Sequence, residues 1–197
     1  MAAVHGSGNE VTAMHGRFRD RFDDIAGSRG QTITHVVAGL GLTMGAVLIS
    51  AIIARHNAPI DGNPKIQAEY DALKQPAFKP PKAVFGMVWP PLFMALTLSG
   101  LRLWNAPASS ARTRALSLWT AIQGLNALWM ALGPRRLGGQ LTTAVATLGT
   151  AAAYALEARK IDAPAAGLAA PYLGWIGLAN ILTEELWRKN RGAAKAA

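Results

Sequence analysis

The sequence predicts an all-α integral membrane protein: a five-transmembrane-helix bundle with a long lid-like loop between helices 1 and 2. Three observations carry this. Hydrophobic residues make up 51% of the chain and charged residues 16%, a balance unusual in soluble domains. The charges gather in short clusters between apolar runs of about 20 residues, the length that crosses a bilayer as a helix. Residues 55–82, between the first two runs, are polar and broken by Asn57, Pro59, Gly62, Asn63 and Pro64. Connections this long are often functional lids.

The 197 residues fit one domain. They divide into a polar N-terminal tail (1–30), a transmembrane domain (31–190) and a basic C-terminal tail (191–197). The net charge of +9 does not indicate nucleic acid, because Lys and Arg sit at segment ends and in the tails rather than along one helix face. The absence of cysteine excludes disulfides, thiolate metal sites and cysteine nucleophiles. His5, His15, His35 and His56 have no metal-ligand spacing, so no metal is expected. No Ser/His/Asp arrangement, G-x-S-x-G or phosphate-binding glycine loop is present, which argues against a conventional enzyme.

In chain order, residues 1–30 lack the apolar core of a signal peptide, so no cleavage is expected. Met14, Phe18, Phe22 and Ile25 recur at helical spacing among Arg17, Arg19, Asp20, Arg21, Asp23 and Asp24. That pattern fits either a short helix on the membrane surface or a mobile tail. The first span is 33–54, with a Gly41-x-x-x-Gly45 motif that permits close helix approach, or is merely tolerated in lipid, and Gly39 nearby. A helical turn is expected near 67–73. The second span is 83–104, with Pro90 and Pro91 predicting a kink. The third, 115–132, ends at Gly133-Pro134. The fourth, 137–156, is rich in small residues, and the fifth is 164–187.

Five spans put the termini on opposite sides. Nine Lys and Arg fall on the N-terminal side and eleven on the other. The margin of two favours a cytoplasmic C-terminus.

Four helix faces carry polar or aromatic residues. Trp89, Phe93 and Leu96 align on the second span, and Gln123, Asn126 and Trp129 on the third. Leu141, Ala144 and Leu148 align on the fourth, and Tyr172, Trp175, Ala179 and Leu182 on the fifth. An amide in lipid needs a partner, so these faces should point inward. Together they suit a flat, apolar, weakly polar ligand such as a tetrapyrrole or a sterol. Trp104 and Trp187, at span ends, read as interfacial belt residues.

The stretch Leu73-x-x-Pro76-x-x-x-Pro80-Pro81-x-x-Val84-Phe85-x-x-Val88-Trp89 closely resembles the signature of the translocator protein family, also called tryptophan-rich sensory protein or peripheral benzodiazepine receptor. Tyr70 extends the match upstream. Asn126 with Trp129, Pro171-Tyr172-Leu173-Gly174-Trp175 and the closing Trp187-Arg188 resemble further family motifs, in the right order. The resemblance covers about residues 33–190. It implies a five-helix porphyrin- or sterol-binding bundle, commonly a homodimer, with ligand-lining positions at Phe85, Gly86, Val88, Ala144, Leu148, Ala179 and Leu182. It also implies that Trp89 and Trp175 are photochemical electron donors, as implicated in bacterial members that break down protoporphyrin in light. This chain departs from the family at several points. Glu69 replaces a loop tryptophan, Gln75 a lysine and Gly133-Pro134 a phenylalanine pair; Gln123 lies one residue off the family glutamine; Leu141 sits where animal members have a ligand-lining tryptophan; Glu184 replaces the tyrosine of a cholesterol-contact motif.

The expected function is a membrane-embedded tetrapyrrole (porphyrin)-binding sensor or regulator, with slow light-dependent porphyrin degradation at most. Tyr70, Leu73, Pro76, Pro80 and Pro81 belong to its lid, and no cofactor is obligatory. The expected setting is a bacterial inner membrane, as a homodimer in a lipid bilayer. The alternative is a scaffold or accessory subunit of a larger, pigment-bearing membrane complex.

Overall fold

A computed structural model describes residues 6–57 and 64–191. They form α1 (Gly6–Ala26), α2 (Ile33–Asn57), α3 (Pro64–Asp71), α4 (Lys82–Asn105), α5 (Ser110–Leu132), α6 (Leu137–Arg159) and α7 (Ala163–Asn190), with a 3-10 turn at Pro134–Arg136. No strand occurs among the described residues. The centre of the 55–82 loop and most of the basic tail, residues 58–63 and 192–197, lie outside them.

Four helices are long and apolar enough to cross a membrane: α2 over Ile33–Ile53, α4, α5 and α7. The helix α6 has 23 residues, but Gln140, Thr142, Thr143, Thr147 and Thr150 dilute its apolar character. Boundaries follow local chemistry. The α4 helix starts directly after Pro81, whose missing N–H is no loss there. The side chain of Ser109 caps α5 by accepting from Arg112 N–H at 3.1 Å. Gly133 ends α5 at φ 60°, a left-handed conformation that glycine adopts without strain. Pro90 and Pro91 fall inside α4, and Pro171 inside α7; each helix runs through them.

Five helices close into a ring in the order α2, α5, α6, α7, α4 and back to α2, each packed on the next. The shared core contains Leu92, Leu96, Trp119, Ile122, Ala151, Tyr154, Tyr172 and Ile176. Apolar side chains on the outside, among them Leu42, Leu48, Ile49, Ile52, Met87, Met94, Val145 and Ile181, are exposed. That inside-out distribution suits lipid.

Buried hydroxyls and indoles bridge the ring. Ser50 Oγ donates from α2 to Gln123 O of α5 at 3.0 Å. Trp119 Nε1 donates to Leu96 O of α4 at 2.9 Å. Ser99 Oγ donates to Ala165 O of α7 at 2.7 Å and meets Tyr154 Oη of α6. Close helix approach depends on glycines other than the G-x-x-x-G pair. A Cβ on Gly39 would lie 2.3 Å from Trp104 Cδ1, whereas Gly41 and Gly45 have nothing within 4 Å. Gly39 is on the face that meets α4, and Gly41 is exposed. Trp104 is correspondingly more than a belt residue. Its Nε1 donates to His35 O at 3.1 Å, His35 stacks on its ring at 5.3 Å, and the Arg112 guanidinium lies 5.7 Å from the ring centre.

Candidate functional site

The ring's centre is almost filled. A cavity of about 30 Å³ remains, lined by Trp89 of α4, Asn126 and Trp129 of α5, Ala144 and Thr147 of α6, and Ile176 and Ala179 of α7. It holds about one water molecule's volume. Five of the predicted ligand-binding residues therefore meet at one point: Trp89, Asn126, Trp129, Ala144 and Ala179. The i, i+3 spacing on α5 and the small residues of α6 put them there.

Beside Trp89, α4 and α7 carry an aromatic cluster whose other members do not line the cavity. Trp89 stacks on Phe93 at 5.1 Å and meets Trp175 edge-on at 6.3 Å; Phe85 meets Trp175 edge-on at 5.5 Å. Val88 and Leu148 pack partly buried against the core. Gly86 is exposed and Leu182 half-buried; neither lines the cavity.

Asn126 and Tyr172 form the polar part. Tyr172 Oη donates to Asn126 Oδ1 at 2.7 Å, a contact that does not use the amide's N–H₂ group. Among the described residues, Asn126 Nδ2, Trp129 Nε1 and Trp175 Nε1 are buried donors without a hydrogen-bonding partner, and both amide atoms of Gln123 are likewise unpaired. Buried donors in a native core are nearly always paired. Three such donors lie at or beside one cavity.

Thr147 and Ile176 line the cavity without having been singled out in the sequence. Their signal was the helical step: Tyr172, Ile176 and Ala179 lie at i, i+4 and i+7, and Thr147 one step beyond Ala144. Tyr154, Ser99 and Trp119 were also passed over, because a single polar or aromatic residue in a span carries no direction.

Residues 64–81 lie across the end where α4 and α6 begin and α5 and α7 finish. The helix α3 occupies residues 64–71, slightly ahead of the turn expected at 67–73. Glu69, at the position of the family's loop tryptophan, forms an ion pair with Arg135. Tyr70 Oη accepts from Gln140 Nε2 at 3.0 Å. Burial raises the Tyr70 pKa, so the phenol stays protonated at neutral pH. Lys74 N–H donates to Asn190 Oδ1 at 3.0 Å, and Asn190 Nδ2 donates to Lys74 O at 3.1 Å. Lys189 Nζ donates to Gln75 O at 3.2 Å. Pro76 is buried, Leu73 and Pro80 half-buried, and Pro81 exposed. Glu185, not Glu184, pairs with Arg188 and Lys189, and Glu184 is exposed.

No group of three or more His, Cys, Asp or Glu placed to hold a metal ion occurs among the described residues.

Known proteins resemble this chain over the same region. It is 30% identical over 127 residues to the translocator protein of Ovis aries, covering 62% of this chain and 75% of that protein. It is 27% identical over 128 residues to protein CrtK of Rhodobacter capsulatus, covering 64% and 80%. It is 29% identical over 123 residues to the tryptophan-rich sensory protein of Cereibacter sphaeroides, covering 61% and 76%. The TspO/MBR family matches residues 40–188, from the first turns of α2 to the end of α7. The helical ring, the proline-rich segment before α4 and the tryptophans between them are thus those of a multi-pass membrane protein that belongs to the TspO/MBR family.

Proposed function

We propose that this protein is a membrane-embedded receptor for a tetrapyrrole of the porphyrin type, with all five ring helices crossing the bilayer. The supporting observation is the small cavity with two unpaired buried donors on its wall, Asn126 Nδ2 and Trp129 Nε1, and a third, Trp175 Nε1, beside it. Indole faces suit a flat apolar macrocycle, and the donors suit its carboxylate or nitrogen acceptors. The small threonines and alanines of α6 form the remaining wall. Its hydroxyls turn back on their own helix: Thr143 Oγ1 donates to Gly139 O and Thr147 Oγ1 to Thr143 O. A span of modest hydropathy is then tolerable in lipid.

A cavity of about 30 Å³ is far too small for a macrocycle. Uptake therefore requires Trp89 and Trp175 to separate and the lid ties to Arg135, Gln140, Lys189 and Asn190 to release. Binding is coupled to lid movement, which is how such a protein reports ligand to its surroundings. The bilayer setting, a homodimer and an inner-membrane location belong to the same reading. So does slow loss of bound porphyrin in light, with Trp89 and Trp175 as electron donors.

The nearly closed centre favours a second reading, in which the fold serves as a scaffold within a larger membrane complex. A protoporphyrin IX titration of the protein in lipid nanodiscs, followed by tryptophan quenching, separates the two. Saturable quenching supports the receptor. Quenching that rises linearly with porphyrin, as partition into lipid does, removes it and leaves the scaffold.

A further inference from the structure

The helix α1 lies before the region that matches the family. Residues 14–22 are exposed, and the helix packs chiefly against α4. Its apolar side chains are not scattered. Met14, Phe18, Phe22 and Ile25 fall within one stripe and are 55%, 76%, 44% and 55% exposed. At 100° per residue, Arg17 and Arg21 border one edge of the stripe and Arg19 the other, while Asp20, Asp23 and Asp24 occupy the remaining circumference.

The C-terminal end of α1 is tied to α4 by hydrogen bonds. Arg102 Nη1 donates to the carbonyls of Asp24 and Ile25, and Asn105 Nδ2 donates to that of Ala26 at 2.9 Å. These are last-turn carbonyls with no partner inside the helix. Arg102 is itself held by Asp162, through Nε at 2.6 Å and Nη2 at 3.2 Å. The chain then turns through Gly27 (φ 61°) and Gly30 (φ 78°). Ser28 is buried with its Oγ donating to Asp23 Oδ1 at 2.6 Å, and Arg29 pairs with Asp24. Three residues after Gly30, α2 begins with Ile33 and Val37 on its outer, lipid-facing side, 70% and 59% exposed. The stripe is thus fixed at the end of the bundle, beside the apolar outer surface.

We propose that α1 is a lipid-docking helix: the Met14–Phe18–Phe22–Ile25 stripe seats in the interface of an anionic bilayer, and Arg17, Arg19 and Arg21 contact its phosphates. Charge placement selects this occupant. Cations flank the apolar stripe where headgroups lie, and the carboxylates face water. Continuity with the outer surface of α2 supplies the membrane at the same end. The assignment is independent of any ligand in the ring.

The chain has no cysteine, so single labels are unambiguous. Full-length Phe18→Cys and Asp20→Cys proteins carrying an environment-sensitive fluorophore are compared in nanodiscs of phosphatidylcholine alone and of phosphatidylcholine with phosphatidylglycerol. The expected result is a blue shift at position 18, quenched by brominated acyl chains. It is stronger with phosphatidylglycerol and reduced by salt. Position 20 stays accessible to aqueous iodide. Replacing Arg17, Arg19 and Arg21 by Gln abolishes the preference for phosphatidylglycerol. Equal iodide access at both positions in every disc overturns the proposal. Equal shielding of position 18 in both lipids overturns the anionic assignment. Shielding of position 18 from iodide that brominated acyl chains do not quench shows that protein, such as a second copy, covers the stripe instead.

Discussion

Tyr172 and Asn126 join two helices that are not neighbours in the ring. The hydroxyl of Tyr172 on α7 reaches past α6 to Oδ1 of Asn126 on α5 at 2.7 Å. This one contact holds the Asn126 amide in a defined orientation, with Nδ2 left available at the cavity. Tyr172→Phe removes the donor and leaves a buried carbonyl oxygen unpaired, which costs about 1–3 kcal/mol. The thermal midpoint in detergent should fall accordingly. Porphyrin affinity should fall with it, because the amide is free to turn.

The contact between α2 and α4 depends on Gly39. A Cβ there would meet the Trp104 ring at 2.3 Å. Gly39→Leu is therefore expected to destabilise by about 1–3 kcal/mol through overpacking. Gly41→Ala, with open space around it, should change stability by less than about 0.5 kcal/mol. Parallel thermal melts of the two variants check the difference, and a Gly41 variant as damaging as the Gly39 one would contradict the packing described.

Arg102 serves two elements at once, Asp162 and the end of α1. Its side chain is 13% exposed and that of Asp162 15%. Arg102→Met leaves a mostly buried carboxylate without its partner, at a cost of about 3 kcal/mol. Hydrogen exchange should rise in residues 22–28 while the amides of α6 remain protected.

Asn190 ties the segment before α4 to the end of α7 through two hydrogen bonds to the backbone of Lys74. Asn190→Leu removes both. If ligand enters beneath the lid, stopped-flow quenching should show faster association and faster dissociation, with a smaller change in their ratio. Unaltered rates would place the entry route between helices, from the lipid.

The helices were legible in the sequence because apolar runs of membrane length and their flanking charges state their own ends. The segment expected as a span at 137–156 folds as the helix Leu137–Arg159, but its small and hydroxyl-bearing residues keep it out of the four helices apolar enough to cross a membrane. The cavity was legible where two polar residues shared a face, as Asn126 and Trp129 do. It was not legible at Thr147 and Ile176, which look like ordinary span residues until their neighbours are known. Gly39 stood out only as a neighbour of the motif for a related reason: a G-x-x-x-G motif advertises a face, but only the partner helix decides which glycine is approached. The ion pair of Glu69 with Arg135 joins residues 66 apart in the chain, and no local pattern announces such a pairing.

The most direct measurement is a protoporphyrin IX titration in nanodiscs of the native protein beside Asn126→Leu, Trp129→Phe and Gly86→Ala. The receptor account predicts saturable tryptophan quenching in the native protein. Affinity should be about tenfold weaker in each of the first two variants, the loss of one donor being worth about 1.4 kcal/mol. It should be unchanged in Gly86→Ala, whose added methyl meets nothing within 4 Å. Equal affinity in all four proteins would show that porphyrin binds outside the cavity and would contradict the account.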